Sequence, residues 1–183
     1  TLDLTTAGIG EMLPGALPNI VGAMIARSDL KDLGVHTEML ADSYVDMYEA
    51  GRITGQRKAI DRGKMVYTFA MGSQRLYDFL DNNPATAIFP ASYTNDPCVI
   101  GRNPKVFAIN NAIEIDLFTQ VASEAAGARQ ISGTGGQLDF IRGSAASKGG
   151  KPIIALPATA KKGTMSRIVP KLNRLDSWAG ICA

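Results

Sequence analysis

The chain has 183 residues, of which 45% are apolar and 20% charged, with a formal net charge of +2. That length and composition fit one soluble globular domain able to bury a core. They make no electrostatic case for nucleic acid or an anionic membrane as partner, and no apolar run is long enough to span a bilayer.

His36 is the only histidine, which rules out a His-rich metal site within the chain. Cys98 and Cys182 are far apart and form no Cys-x-x-Cys pair, so a reduced, cytoplasmic protein is expected. The chain opens on Thr1 rather than Met and no signal peptide is recognised, so a fragment or a processed chain is expected.

In chain order, Thr1 to Thr6 is predicted to end a strand, and Ala7-Gly8-Ile9-Gly10 to turn. Leu13 to Arg27 is apolar and rich in small residues, with Pro18 suited to a helix's first turn. Val35 to Thr37 is a short strand with Glu38 at its end. Asp42 or Ser43 is placed to cap a helix running to Ala50 and stopped by Gly51. Lys64 to Phe69 is a strand, Ser73 caps a helix through Asp81, and Ala87 to Phe89 is a further strand. Val106 to Ile109 and Ala112 to Ile115 are strand-like, and a helix is predicted from Leu138. Lys151 to Leu156 has the pattern of a buried strand. Strands alternating with helices predict an α/β domain with an open, mostly parallel sheet flanked by helices.

The densest chemical signal is Ser132-Gly133-Thr134-Gly135-Gly136-Gln137-Leu138-Asp139-Phe140, with three glycines in four residues before a helix. Amides turned out of such a loop into a helix N-terminus bind anions or a developing oxyanion, although glycine content alone favours a tight connection. Gly8-Ile9-Gly10 lacks the third glycine of a dinucleotide fingerprint, because Leu13 occupies that place. Gly149-Gly150-Lys151 is followed by Pro152, which excludes a P-loop.

Glu38 lies where ligands of open α/β sheets collect, and it reads as a solvated carboxylate, a general base or a nucleophile. His36 is two residues away and shares its face on an extended strand, where it could tune the carboxylate or serve the core. In Tyr93-Thr94-Asn95-Asp96-Pro97, Asp96 is a plausible helix cap and Asn95 a candidate amide donor to a carboxylate.

Taken in order, Gly8-Ile9-Gly10, His36-Thr37-Glu38-Met39, Tyr93 to Pro97, Ser132 to Gly143 and Gly149 to Pro157 resemble the motif series of the acetyl-CoA hydrolase/transferase family. The likeness is to its 4-hydroxybutyrate and butyryl-CoA:acetate CoA-transferases, and it runs to Asn173. It implies a C-terminal catalytic domain over residues 1–173, a second similar α/β domain absent from this chain, and a divergent tail over 174–183. In place of the family's Pro-Asp-Ala the chain has Pro14-Gly15-Ala16, and a truncated or frame-shifted reading frame would account for the tail.

The resemblance implies Glu38 as covalent nucleophile, Gly135 and Gly136 as oxyanion donors, and Asn95 as the group that orients the glutamate. It places coenzyme A against Gly8, Ile9, Gly10, Gln137, Asp139, Gly149, Gly150 and Lys151. Coenzyme A is then a substrate, and no metal or redox cofactor is needed. The partners are an acyl-CoA, a short-chain carboxylate and the absent domain, within a homo-oligomer of acetate or 4-hydroxybutyrate metabolism. An acyl-CoA hydrolase and a non-catalytic acyl-CoA-binding fragment are the two rival functions.

Overall fold

The computed structural model describes residues 2–3, 17–126, 129–133 and 135–172. Six strands form one sheet: β1 (Leu2–Asp3), β2 (Val35–His36), β3 (Met65–Tyr67), β4 (Thr86–Ile88), β5 (Phe107–Asn111) and β6 (Lys151–Ala155). Its order is β6-β5-β1-β2-β3-β4, and every neighbouring pair is parallel. Among the described residues the α-helices are α1 (Leu17–Arg27), α2 (Asp42–Glu49), α3 (Gln74–Leu80), α4 (Ala91–Thr94), α5 (Pro97–Ile100) and α6 (Gln137–Ala146). The chain builds β1 to β4 outward in one direction, then returns to lay β5 on the other side of β1. The order therefore reverses between β1 and β5, the place where doubly wound sheets open a crevice at their carboxyl ends.

The two-residue period of the strands divides the core into two clusters. Val35, Met65 and Tyr67 face one way and pack with Leu40, Tyr44, Val45, Met47 and Leu76 of the segments around α2 and α3. Ala108 faces the other way and packs with Ile100 of α5, Phe140 of α6 and Val106. Helices thus cover both faces, and the α/β architecture with an open parallel sheet is as the alternation of elements predicts. Among the described residues no helix is long and apolar enough to cross a membrane.

Three local expectations are corrected. Lys151, Pro152 and Ile153 are exposed rather than buried, because among the described residues β6 pairs only with β5 and forms the edge of the sheet. Pro152, which has no N–H to donate, suits such an edge. The helix over 42–49 has Ala41 at its N-cap with no side-chain cap, and the Asp42 carboxylate instead accepts from the N–H and Oγ of Ser73. Ser73 does occupy the N-cap position of α3, but its hydroxyl is taken by that bond. Asp96 does cap α5, accepting from Cys98 N–H at 2.8 Å. The predicted strand around residues 1–6 appears as β1, whereas the Gly8-Ile9-Gly10 turn and the tail over 174–183 lie outside the described residues.

A buried cation supports the start of the sheet. Lys58 is 4% exposed, and its Nζ donates to the carbonyls of Val35 and Lys64 at 2.9 and 2.8 Å. Burial pulls its pKa down to about 8. Asn103 holds the same loop by accepting from the N–H groups of Ala59 and Ile60.

Helices α5 and α6 meet through a glycine. A β-carbon on Gly143 would lie 2.5 Å from Ile100 Cβ, closer than two carbons can approach. Gly143→Ala is therefore expected to push α6 off α5 and to cost about 1–3 kcal/mol of overpacking. Chemical denaturation measures this; an unchanged midpoint would show that the helices slide apart freely.

Candidate active site

The Glu38 side chain stands in a break between two parallel strand pairs. β2 pairs with β3 up to His36 and Val66, and the pairing resumes between Met39–Leu40 and Phe69–Ala70. Across the gap the Glu38 carbonyl accepts from the N–H groups of Thr68 and Phe69 at 3.0 and 3.2 Å. The backbone at the nucleophile candidate is thereby fixed by the ladder on either side, while the side chain is half-buried and free to leave the sheet.

Two donors from distant parts of the chain meet its carboxylate. The Gly136 N–H donates to Oε2 at 2.9 Å, and Asn95 Nδ2 donates to Oε1 at 3.1 Å. An ionised carboxylate only accepts, so the amide group of Asn95 must face it. Gly136 is the N-cap of α6, and Gly135 before it has φ +55°, a left-handed conformation that suits glycine. Gly136 is further constrained by space: a β-carbon there would lie 2.5 Å from Asn95 Nδ2 and 2.6 Å from Glu38 Oε2. Of the two glycines, it is the Gly136 amide that meets the carboxylate. Gly135 sets the turn that aims it.

Beneath this constellation His36 is 0% exposed, and its Nε2 lies 2.8 Å from the carbonyl oxygen of Thr94. Its ring nitrogens do not bond the carboxylate: Nδ1 is buried without a partner. Its pKa is lowered to about 4, by burial above all, with Lys58 nearby adding to the effect; the Thr94 bond and Asp61 oppose it.

The remaining candidates divide. Gln137 is buried, and its Nε2 donates to the Asn111 carbonyl at 3.2 Å, tying the start of α6 to the end of β5. Asp139 follows in the first turn of α6, half-buried, and burial pushes its carboxyl above the usual range, with Asp96 adding to the effect and Arg142 opposing it. Gly149, Gly150 and Lys151 are not brought to Glu38. Lys151 pairs with Phe107 and so is level with Val35, three strand spacings away, which puts it roughly 17 Å from Glu38. Gly150 has a packing reason of its own, since a β-carbon would overlap the Ser144 carbonyl oxygen at 2.1 Å. Among the described residues no cluster of His, Cys, Asp and Glu is placed to hold a metal ion.

The depressed His36 pKa has a consequence for stability. Between pH 6.5 and about 4 the unfolded chain binds a proton at this ring and the folded one does not, so stability falls as pH falls through that window. The loss is expected to reach about 3 kcal/mol by pH 4. Comparing denaturation of wild type and His36→Gln from pH 7 to 4 isolates it, because the carboxylates titrate in both. Parallel curves would show that the ring is protonated in the fold.

Comparison with known proteins agrees with this geometry. Residues 72–178 match the acetyl-CoA hydrolase/transferase C-terminal domain. The chain is 55% identical over 161 residues to a probable butyrate:acetyl-CoA coenzyme A-transferase of Syntrophomonas wolfei, covering 87% of this chain and 36% of that protein. It is 46% identical over 159 residues to a 4-hydroxybutyrate coenzyme A transferase of Clostridium kluyveri, covering 87% and 37%. The crystal structure of RipA from Yersinia pestis superposes with a TM-score of 0.83 at 46% identity, over 94% of this chain and 37% of that one. An acetyl-CoA hydrolase of Candida albicans is more distant, at 29% identity over 168 residues. The chain thus spans little more than a third of the length of these transferases. With the ordered motifs, the parallel sheet and the domain match in agreement, the chain belongs to the acetyl-CoA hydrolase/transferase family.

Proposed function

We propose that this domain carries the nucleophile of a CoA-transferase, with Glu38 as the covalent carboxylate. The enzyme would move coenzyme A between butyryl-, 4-hydroxybutyryl- or acetyl-CoA and a short-chain carboxylate such as acetate. The observation that carries the reading is the Glu38 carboxylate held at both oxygens, by Gly136 N–H and by Asn95 Nδ2.

A carboxylate is a weak nucleophile, so it must be oriented, brought within about 3–3.5 Å of the thioester carbonyl and kept from water. In the first step one Glu38 oxygen attacks the acyl-CoA carbonyl and expels the CoA thiolate, leaving a mixed anhydride. The thiolate then attacks the glutamyl carbonyl and expels the acyl group as a carboxylate, leaving a glutamyl-CoA thioester. The acceptor acid reverses both steps. Oε1, on the Asn95 side, is the attacking atom in this proposal, because Oε2 keeps the Gly136 amide. When the thiolate adds to the glutamyl carbonyl, the negative charge then falls on the oxygen that already faces the N-terminus of α6. One such donor is worth about 3–4 kcal/mol in acyl transfer.

Gln137 ties the oxyanion donor to the sheet, and Asp139 stands near enough to α6's start to meet the ligand. Gly149, Gly150 and Lys151 are too far to touch the reacting carbonyl, so contact with coenzyme A there would be with its nucleotide end. Transfer is preferred over hydrolysis because the transferases noted above are 46–55% identical and the hydrolase 29%. The remainder of the protein, present in the relatives and outside this chain's match, is proposed to supply the opposite wall of the acyl pocket. Such pockets commonly form between domains and owe their low dielectric to closure.

Two experiments test this. In a protein containing this domain together with the rest of the relatives' length, incubation with butyryl-CoA is expected to add the mass of coenzyme A to the peptide holding Glu38. Glu38→Gln should abolish both adduct and transfer to labelled acetate while leaving binding of coenzyme A largely intact, and the 183-residue chain alone should transfer at well below enzymatic rates of roughly 1–1000 per second. An adduct on Glu11 or Glu114 would overturn the assignment, and thiol release without acyl exchange would make the protein a hydrolase. Separately, Gly136→Ala is expected to lower turnover about 100-fold or more, with a much smaller change in KM; wild-type turnover would reduce the glycine loop to a connection.

A further inference from the structure

We propose that His36 is a positioning residue: it fastens the end of β2, two residues before Glu38, to the end of α4, whose C-cap is Asn95, and so holds the nucleophile and its amide donor at a fixed separation. This rests on Glu38 being the acyl acceptor, but the bond itself is independent of the chemistry.

Glu38 follows His36 by two residues, and Asn95 follows Thr94 by one. The His36 Nε2 to Thr94 oxygen contact of 2.8 Å is thus the hydrogen bond that ties one holder of the clamp to the other immediately behind the Asn95–Glu38 contact. A carbonyl oxygen only accepts, so Nε2 must carry the proton and donate. That fixes one tautomer and leaves Nδ1 as a buried acceptor without a partner. Protonating the ring would bury an unpaired N–H.

Helix α4 needs such an anchor. It spans only Ala91–Thr94, and one turn has no stability of its own in water. Its position comes from tertiary bonds: His36 to Thr94, and the Tyr93 hydroxyl donating to Asp61 at 3.0 Å. The imidazole itself lies between Tyr93 and Phe140, with ring centroids 6.4 and 6.3 Å away. An apolar side chain of similar volume would fill that space without the cost of burying a polar ring. What an apolar residue cannot supply is the donor to Thr94.

The test has a wild-type arm and a variant arm. On the 183-residue chain, long-range ¹H–¹⁵N spectra are expected to show His36 neutral and protonated at Nε2 from pH 5.5 to 8. The Nδ1–H tautomer, or an imidazolium at pH 7, would overturn the proposal whether or not any variant folds. In the variant arm, His36→Leu removes the donor, and His36→Gln returns an amide N–H near the position of Nε2. The Asn95 side-chain amide resonances are expected to move in His36→Leu and to return toward wild type in His36→Gln. In the longer protein, His36→Leu should slow the formation of the CoA adduct on the order of 10- to 100-fold at saturating acyl-CoA, with KM within about twofold. His36→Gln should recover most of that rate. Wild-type Asn95 resonances and wild-type rate in a folded His36→Leu protein would sink the idea, as would equal losses in both variants. Should the wild type form no adduct on Glu38, the functional reading fails and the Asn95 resonances still decide the role of His36.

Discussion

The geometry of the domain converges on one carboxylate with two donors. The Glu38 oxygens are met by groups 57 and 98 residues further along the chain, so neither contact is local. Each needs a whole supersecondary unit to be in place: the gap between β2 and the pair Met39–Leu40 with Phe69–Ala70, the single turn of α4, and the start of α6. A parallel sheet suits this demand. All its strands point to one end, and the order reverses between β1 and β5, the place where doubly wound sheets hold their ligands. The sheet's twofold core then fixes the heights of the elements, with α2 and α3 bound through one cluster and α5 and α6 through the other.

Electrostatics explains why so much backbone is spent around one side chain. The carboxylate is half-buried, and its neighbours are a backbone amide, a side-chain amide and, behind them, a neutral imidazole. Among the described residues, dipoles rather than full positive charges bond it. In the proposed chemistry, a lysine or arginine paired with Glu38 would hold the anion tightly and oppose its conversion to an uncharged anhydride or thioester. Amide donors serve both states: they donate to the anion before reaction and to a carbonyl or oxyanion afterwards, with little reorganisation. The buried cation nearby, Lys58, is instead occupied by two carbonyls at the start of β2 and β3.

Much of this was legible in the sequence, for identifiable reasons. Alternation of short apolar runs with helical segments gave the α/β class, because each strand is followed by enough chain to cross over. The cap at Asp96 was legible because aspartate before proline satisfies a local amide, a contact that sequence spacing alone determines. Glu38, Asn95 and Gly136 were singled out and do meet. The roles within the site were less visible. Asp42 and Ser73 satisfy each other across 31 residues instead of capping their own helices, a tertiary choice over a local one. The exposure of Lys151, Pro152 and Ile153 depends on β6 being an edge strand, which periodicity does not encode, although Pro152 was a signal for it. The end of the strand near Glu38 was legible, but the resumption of pairing at Met39–Leu40 was not, because two residues carry too little pattern to read as a strand.

His36 illustrates how a lone polar residue on an apolar strand should be weighed. As a lone histidine it read as a core residue, and its proximity to Glu38 made it a tuning group; it is buried as the first reading has it, and its hydrogen bond goes to a backbone carbonyl instead of the carboxylate. It bonds a carbonyl on the neighbouring helix, so its influence on the carboxylate passes through backbone geometry and not through charge. That division of labour has a physical logic. A charged imidazolium behind Glu38 would favour the anion and resist acylation, whereas a neutral ring that only donates can hold the frame without biasing the charge state. The desolvation that depresses its pKa is therefore compatible with the chemistry proposed in front of it. The cost in stability falls only at acid pH, as the pH drops below the ordinary histidine range.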